Sequence, residues 1–307
     1  MSPTVTQQKW TLASYALNDA YTDFILARQA MQCTRATLEF YKYTAGAFLA
    51  WLEGQSVASP QELTARLIRS YLAGLSDSGK KDTTINAHAR AIRALAIFWH
   101  AEKYIPEIIK FDMPKVLKKR LPVLSADELS KIITACPNPR EKAIILFLAD
   151  SGLRRAETIA LNWNDVDIAS GLVRVVRGKG GKARSAVIGA STRRAILHYR
   201  RTLKDVSDTA PLFQTREGGR FIGNGFMQIF KRLKRRTGIH ITPHCLRRSF
   251  VILSLRAGMD VLHLQAMLGH SSLAMTMHYA QMVDDDLLQS HKAHSPIDNL
   301  SRLKEGR

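Results

Sequence analysis

The chain has 307 residues, more than one ordinary domain holds, and 46% are hydrophobic, which predicts two folded domains and excludes a disordered chain. Lys and Arg number 45 against 26 Asp and Glu, a formal charge of +19, which favours a polyanionic partner. Residues 1–110 carry 12 basic and 9 acidic side chains, whereas residues 111–307 carry 33 and 17. The second part therefore produces most of the positive field.

Several classes of protein are disfavoured at this stage. No run of about 20 apolar residues occurs, and the opening MSPTVTQQKW does not resemble a signal peptide, so we expect a soluble cytoplasmic protein with no membrane partner. Cys33, Cys136 and Cys245 are odd in number, which suits a reducing compartment and argues against a disulfide framework. His240, His244 and Cys245 have no second cluster that would complete a zinc site, so no metal is predicted.

The first part of the chain is predicted to be helical. In TRATLEFYKYTAGAFLAWLEG the apolar residues form one stripe, with Thr34 as the N-cap and Gly54 as the stop. PQELTARLIRSYLAGL repeats the pattern and is expected to end at Gly74. DTTINAHARAIRALAIFWHAE predicts a third helix, on which Asn86, Arg90 and Arg93 form a polar row beside the apolar face. This row is either a solvated face or a nucleic-acid contact.

A proline-containing basic segment, PEIIKFDMPKVLKKRLPVL, follows these helices. Its composition predicts an extended linker that packs poorly and lies along phosphates through Lys118, Lys119 and Arg120. We expect a helical domain at 1–110, the linker at 111–124 and a second domain at 125–307.

The second domain is predicted to be α-rich with a small antiparallel sheet, so the whole chain is mainly α. SADEL begins a helix with a capping box from Ser125 to Glu128, and Asn138 caps the helix that starts at Pro139. Ser151-Gly152 breaks that helix, and LVRVVRGKGGKARSAVI predicts a β-hairpin. Further helices are expected near 191–204, 223–237, 243–257 and 260–268.

Six side chains of this domain are candidates for chemistry. Arg154, Lys179, His244, Arg247 and His270 are expected at breaks, tips and helix ends, and Tyr279 near the middle of a helix. Each has an ordinary structural explanation when taken alone, as a solvated charge, a helix cap or a core tyrosine. Together they suit metal-free phosphoryl transfer on a phosphodiester. Arginines bind the non-bridging oxygens, tyrosine attacks, histidines handle protons, and lysine protonates the departing oxygen. No cofactor is needed for this chemistry.

The segments SGLRRAE, GKGGKAR, HCLRRSF and LGHSSLAMTMHY stand in this order along the chain. Their order and spacing resemble the tyrosine recombinases, or phage integrases, of the Xer and Cre type. The resemblance implies an N-terminal core-binding domain and a C-terminal catalytic domain that cuts DNA through a 3′-phosphotyrosyl intermediate and a Holliday junction, without ATP or metal. It implies that Arg154 and Arg247 clamp the phosphate, Lys179 is the general acid, Tyr279 is the nucleophile, and Glu157 supports Arg154. Asn86, Arg90, Arg93, Lys118, Lys119 and Arg120 are the expected DNA contacts.

The same resemblance implies partners. The chain is expected to bind double-stranded core sites and to form a tetramer through a tail after Tyr279, which contains Leu287 and Leu288. A related recombinase sharing the tetramer, and attack by Tyr279 in cis or in trans, are left open. A prokaryotic cell, phage or mobile element is the expected source, with the enzyme on the nucleoid.

Two other functions remain open on the sequence alone. A type IB topoisomerase uses the same catalytic set, and a requirement for a specific site and a tetramer would exclude it. DVLHLQAMLGHSSLAMTMHY also resembles a helix-turn-helix, which suits a DNA-binding regulator without catalysis. Such a regulator would never form a covalent adduct with DNA.

Overall fold

The computed structural model describes residues 16–117, 121–175, 183–204, 206–269, 295 and 297. The chain divides into two compact units, Met1–Lys119 and Arg120–Arg307. Among the described residues the only sheet has two antiparallel strands, and the rest of the regular structure is helical. The predicted fold class, mainly α with a small sheet, is confirmed. No described helix combines the length and apolar character that a bilayer span requires.

The described part of the first unit contains α-helices and one 3₁₀ turn. They are α1 Leu17–Ala30, α2 Arg35–Gly54, the 3₁₀ turn Pro60–Glu62, α3 Ala65–Asp77 and α4 Asp82–Ala101. The core forms where the apolar faces of these helices meet, and Ala89 and Ile92 of α4 are fully buried in it. Trp99 lies at the end of this face, and its Nε1 donates to the carbonyl of Ala20 at 3.0 Å. This hydrogen bond satisfies the buried indole and fixes α4 against α1.

Local sequence determines the helix ends in this unit, with one departure from expectation. Thr34 caps α2 as predicted, because its Oγ1 accepts from the backbone N–H of Thr37 at 3.3 Å. The expectation that α3 ends at Gly74 is wrong. The helix continues to Asp77 and then turns through Gly79, whose φ is +73°, so that Lys80 N donates to Leu75 O at 3.1 Å. Here the left-handed conformation of Gly79, and not the presence of Gly74, determines where the chain leaves the helix.

The segment after α4 packs more closely than its composition predicts. Residues 111–117 contain no helix or strand, but Phe111 and Met113 pack against the core of the first unit. Asn86 Nδ2 donates to Pro114 O at 2.9 Å, and Arg93 Nη2 donates to Phe111 O at 3.1 Å. The prediction of a poorly packed linker is therefore wrong for residues 111–114, whereas Lys115, Val116 and Leu117 are exposed. Lys118, Lys119 and Arg120 lie outside the described residues.

The second unit is built around a buried central helix. Its described elements are α5 Ala126–Thr134, α6 Pro139–Ser151, α7 Arg155–Ala160, the 3₁₀ turn Trp163–Asp165, β1 Leu172–Val175, β2 Arg184–Val187, α8 Ala190–Arg200, α9 Gly223–Thr237, α10 Pro243–Arg256 and α11 Val261–Leu268. Helix α6 packs against α5, α8 and α10, and its residues Ile144, Ile145 and Leu148 are fully buried.

The hairpin and the capping signals of this unit follow the sequence prediction. Strands β1 and β2 pair antiparallel, with Val173 opposite Ala186. Both predicted caps form: Ser125 Oγ accepts from Glu128 N at 3.1 Å, and Asn138 Oδ1 accepts from Glu141 N at 2.9 Å. The tip of the hairpin, which includes Lys179, lies outside the described residues. The base of β2 and the end of α11 pack together and form one side of the candidate site.

Candidate active site

The Ser151-Gly152 break places Arg154 at the start of α7. Gly152 has φ +60°, and a Cβ on it would lie 2.3 Å from a ring carbon of Phe250. Only glycine combines that left-handed conformation with so close a neighbour. The chain therefore turns sharply between α6 and α7, and Arg154 becomes the N-cap residue of α7 with about a quarter of its side chain exposed.

A buried carboxylate orients Arg154. Glu157 Oε2 accepts from the backbone N of Arg154 at 2.8 Å, and Oε1 accepts from its Nη1 at 2.9 Å. Arg184 of β2 donates to the same carboxylate from Nη1 and Nη2, at 2.9 and 2.7 Å. Burial alone raises the pKa of Glu157, but the hydrogen bonds and charges of the two arginines outweigh it and hold this pKa below its ordinary value. Glu157 is therefore ionised at neutral pH and fixes one edge of the Arg154 guanidinium.

Helix α10 supplies the second arginine and a histidine. Thr242 caps the helix by accepting from Cys245 N at 3.1 Å, and Pro243 occupies the first helical position. His244 is exposed at this helix start, whereas Arg247, three residues later, is only 6% exposed. The two side chains therefore lie at the same end of α10 but differ in their exposure to solvent.

Arg247 joins two distant segments of the chain. Its Nη1 donates to the carbonyl of Gly152, and its Nη2 donates to the carbonyl of Leu268 at 2.9 Å. The first contact fixes the turn that precedes Arg154, and the second fixes the last residue of α11. Because a guanidinium presents its donors in a rigid planar fork, these two bonds fix the orientation of the Arg247 group.

The charges around His244 show where these groups converge. Although His244 is solvent-accessible, its neighbours remove part of the ring from water, which disfavours the charged imidazolium and lowers the pKa of His244 below its ordinary value. Four guanidiniums lower it further, those of Arg248, Arg247, Arg155 and Arg154. A neutral imidazole among cations is suited to accept a proton or to hydrogen-bond a phosphate oxygen. An anion bound among these arginines would offset their charge and raise this pKa again.

This effect gives a direct test of the site's electrostatics. In the free protein, His244 is expected to titrate below the ordinary histidine pKa of about 6.5, and its pKa is expected to rise on binding DNA. Histidine side-chain NMR would measure this, with His244→Gln providing the assignment. A free-state pKa of His244 at or above about 6.5 would contradict the described electrostatics.

The structure describes some of the predicted site residues and not others. It brings Arg154, Glu157, His244 and Arg247 into one region of the second unit. Lys179, His270 and Tyr279 lie outside the described residues, so their roles stay predictions. In the first unit Arg90 and Arg93 are exposed, and Arg93 also stacks on the Phe111 ring at 5.5 Å.

Two arginines near the site, Arg184 and Arg248, have structural roles that the sequence does not predict. Arg184 stands within the GKGGKAR motif but receives no role there, because nothing in its spacing distinguishes it from the neighbouring basic residues. Arg248 is likewise given no role by its position, yet its Nε and Nη2 both donate to Pro122 O, at 3.2 and 3.0 Å. Arg248 thereby fastens the start of the second unit to α10. Both partners are distant in sequence, so no local pattern could reveal them.

The chain is similar to known DNA integrases and recombinases. Residues 122–285 match the phage integrase family. The chain is 32% identical over 242 residues to tyrosine recombinase XerA of Thermococcus onnurineus, covering 78% of this chain and 85% of the relative. It is 27% identical over 281 residues to XerA of Saccharolobus solfataricus, covering 88% and 90%. A lambda integrase (75–356) dimer bound to a COC′ core site shares the fold, with a TM-score of 0.73 at 20% identity over 86% of this chain and 95% of that one.

Proposed function

The chain belongs to the phage integrase family and is a tyrosine site-specific recombinase, and from this premise we propose that it cuts and rejoins DNA through a 3′-phosphotyrosyl link formed by Tyr279. Strand exchange proceeds through a Holliday junction within a tetramer. Each cleaved phosphodiester exchanges one ester bond for another, so its energy is retained in the tyrosyl link. The reaction therefore requires neither ATP nor a resident metal ion.

The convergence of Arg154, Arg247 and His244 is the observation that carries this proposal. Glu157 and the carbonyls of Gly152 and Leu268 hold the two guanidiniums in place before any substrate arrives. Donors fixed in advance stabilise the charge that develops on the non-bridging phosphate oxygens in the transition state. Two guanidiniums and a proton-accepting imidazole in one region can stabilise a pentacoordinate phosphorus. A structural ion pair would need one arginine and one carboxylate, and does not explain why three such groups lie together.

The remaining steps are assigned from the sequence. Tyr279 Oη attacks phosphorus, and the bond to the 5′-oxygen breaks. Lys179 gives its proton to that departing oxygen, and a histidine of the site, His244 or His270, takes the phenolic proton. Rejoining reverses these transfers when the 5′-hydroxyl of a partner strand attacks the phosphotyrosine. This scheme explains why the catalytic set combines a lysine and histidines with two arginines.

The first unit is also proposed to bind the DNA core site. Asn86 and Arg93 use donors to hold residues 111–114, whereas no hydrogen bond or ion pair is described for exposed Arg90. Arg90 is therefore the strongest candidate for a DNA contact on α4. Lys118, Lys119 and Arg120 would contact phosphates, so binding should weaken steeply as salt concentration rises.

The tail after Tyr279 is proposed to join the subunits. The second unit has a groove of about 380 Å³ that is mostly apolar and lies between α6, β2, α10 and α11, with Phe250, Leu253 and Met267 in its lining. Leu287 and Leu288 from a neighbouring subunit have the apolar character to occupy it. A second, related recombinase could supply that subunit.

Deleting residues 284–307 is expected to leave binding of one core site intact and to weaken tetramer assembly by at least about tenfold, because each interface loses a buried apolar anchor. Native gels with a single core site and with paired sites separate the two effects. Replacing exposed Leu197 by Ser, outside the groove, is the matched control. Unchanged tetramer assembly in the deletion variant would refute the role of the tail.

The proposed function is tested with nicked suicide duplexes drawn from DNA that flanks the gene, incubated without Mg²⁺ or ATP. The expected product is a protein–DNA adduct that survives denaturation. Site-specific adducts that progress to Holliday junctions support recombination, whereas relaxation of any supercoiled plasmid by the monomer would indicate a type IB topoisomerase. Specific binding that gives no adduct on any duplex would indicate a regulator and overturn the proposal.

A further inference from the structure

Arg184 forms a junction between three parts of the catalytic unit. Its Nη1 and Nη2 donate to the two oxygens of Glu157, at 2.9 and 2.7 Å, and its Nε donates to the carbonyl of Met267 at 3.0 Å. The side chain is only about one-tenth exposed. All three nitrogens of this guanidinium are therefore used within the protein, so Arg184 is a poor candidate for a direct phosphate ligand.

Each contact of Arg184 leads to a group that the reaction needs. Glu157 also binds the backbone and the side chain of Arg154. Met267 is followed by Leu268, whose carbonyl is bound by Arg247, so two guanidiniums hold successive carbonyls at the end of α11. Gly269 then caps the helix with φ +61°, and a Cβ there would lie 2.7 Å from Arg184 Cδ. His270 is the next residue in the chain.

The position of Arg184 on β2 supplies the third connection. Arg184 begins this strand and pairs with Val175, the last residue of β1, so it stands where the two strands enter the hairpin loop. In the sequence, Lys179 precedes Arg184 by five residues. Arg184 therefore fixes the described start of β2, next in the chain to the segment that contains Lys179.

The charge balance shows what would follow from losing Arg184. Glu157 is buried and ionised between two guanidiniums. Without Arg184, the carboxylate would have Arg154 as its remaining ion-pair partner in these contacts and would attract that group more strongly. The guanidinium of Arg154 would then be drawn toward Glu157 and away from an incoming phosphate.

We propose that Arg184 is a positioning residue for DNA cleavage, which acts through Glu157 on Arg154 and joins the end of α11 to the start of β2. This inference rests on the proposed function, since it assigns a role within that reaction. Arginine is required there because lysine has a single ammonium group and cannot span a carboxylate and a carbonyl in one fixed plane. Arg184 acts on the rate of the chemical step and has little effect on DNA affinity.

The test compares Arg184→Gln and Arg184→Lys with the wild type on the suicide duplex, with protein in excess over DNA. Active protein is first counted by titration against the core site, which corrects for any misfolded fraction. Both variants are expected to bind DNA within about threefold of the wild type and to form the adduct about 100-fold more slowly, because a misplacement near 1 Å has that effect on a positioned reaction. Arg174→Gln, an exposed arginine on the paired strand β1, is the matched control and is expected to cleave normally.

A double-mutant cycle with Glu157→Gln shows whether Arg184 acts through that residue. Coupled residues give effects that do not add, so the double variant is expected to cleave within about threefold of the slower single variant. Additive losses, unchanged cleavage in Arg184→Gln, or a loss of DNA affinity equal to the loss of rate would each overturn the inference. If the wild type itself forms no adduct, the proposed function fails; if the wild type and Arg184→Gln cleave equally fast, only this inference fails.

Discussion

Tyr279→Phe is expected to abolish the covalent adduct and to leave binding of the core site within about threefold of the wild type. The substitution removes one oxygen atom and keeps the aromatic ring, so packing changes little. No other group is expected to form the bond to phosphorus in place of the tyrosine oxygen. Removing a nucleophile reduces the rate of covalent catalysis by at least about 10⁴-fold. Denaturing gels of the suicide-duplex reaction would show the adduct band in the wild type and no band in the variant.

The matched control is Tyr43→Phe, which removes the hydroxyl of a tyrosine that is 69% exposed in the first unit. This variant should form the adduct at the wild-type rate. An adduct that persists in Tyr279→Phe at an undiminished rate would assign the attack to another residue. Loss of the adduct in both variants would point to a general defect in the protein preparations.

Arg247→Gln is expected to have the second largest effect, because Arg247 has both a catalytic and a structural task. Removing one preorganised donor from the site of developing charge slows cleavage by about 10²–10³-fold. The same substitution disrupts the hydrogen bonds to the carbonyls of Gly152 and Leu268, and leaving such buried groups unpaired costs about 1–3 kcal/mol in the free energy of unfolding. Adduct formation and urea unfolding measure the two effects separately.

Arg194→Gln is the control for both measurements, because Arg194 is an exposed arginine of α8 that bonds only to Ser191 among the described hydrogen bonds. It should change neither the cleavage rate nor the unfolding free energy appreciably. Arg247→Gln with full stability and a wild-type cleavage rate would contradict the assignment of Arg247 to the phosphate clamp. Reduced stability with normal cleavage would limit its role to holding the turn at Gly152 and the end of α11.

Much of the fold follows from short-range patterns. The caps at Thr34, Ser125 and Asn138 form as expected because each depends on residues within one helical turn. The hairpin follows from two β-branched runs around glycines. The end of α3 could not be predicted in the same way, because Gly74 and Gly79 offer the same local signal and only the backbone conformation distinguishes them.

Some residues of the site can also be predicted, but their partners cannot. Two arginines and one histidine predicted from the sequence lie in one region of the second unit, and the lysine and tyrosine assigned to phosphoryl transfer stay predictions. The contacts that hold these groups join residues far apart in sequence, such as Arg247 with Gly152 and Arg184 with Met267. The same holds for Asn86 and Arg93, whose bonds to residues 111–114 no helical pattern specifies. Such pairings arise from tertiary packing.

The central claim, that Tyr279 carries the DNA during recombination, is tested most directly by locating the attachment point. The wild-type adduct would be purified from a suicide duplex, digested with protease and nuclease, and analysed by tandem mass spectrometry. The expected product is a peptide in which Tyr279 carries a nucleotide through its 3′-phosphate. A nucleotide attached to a different side chain, or joined through its 5′-phosphate, would contradict the assignment of Tyr279 as the nucleophile.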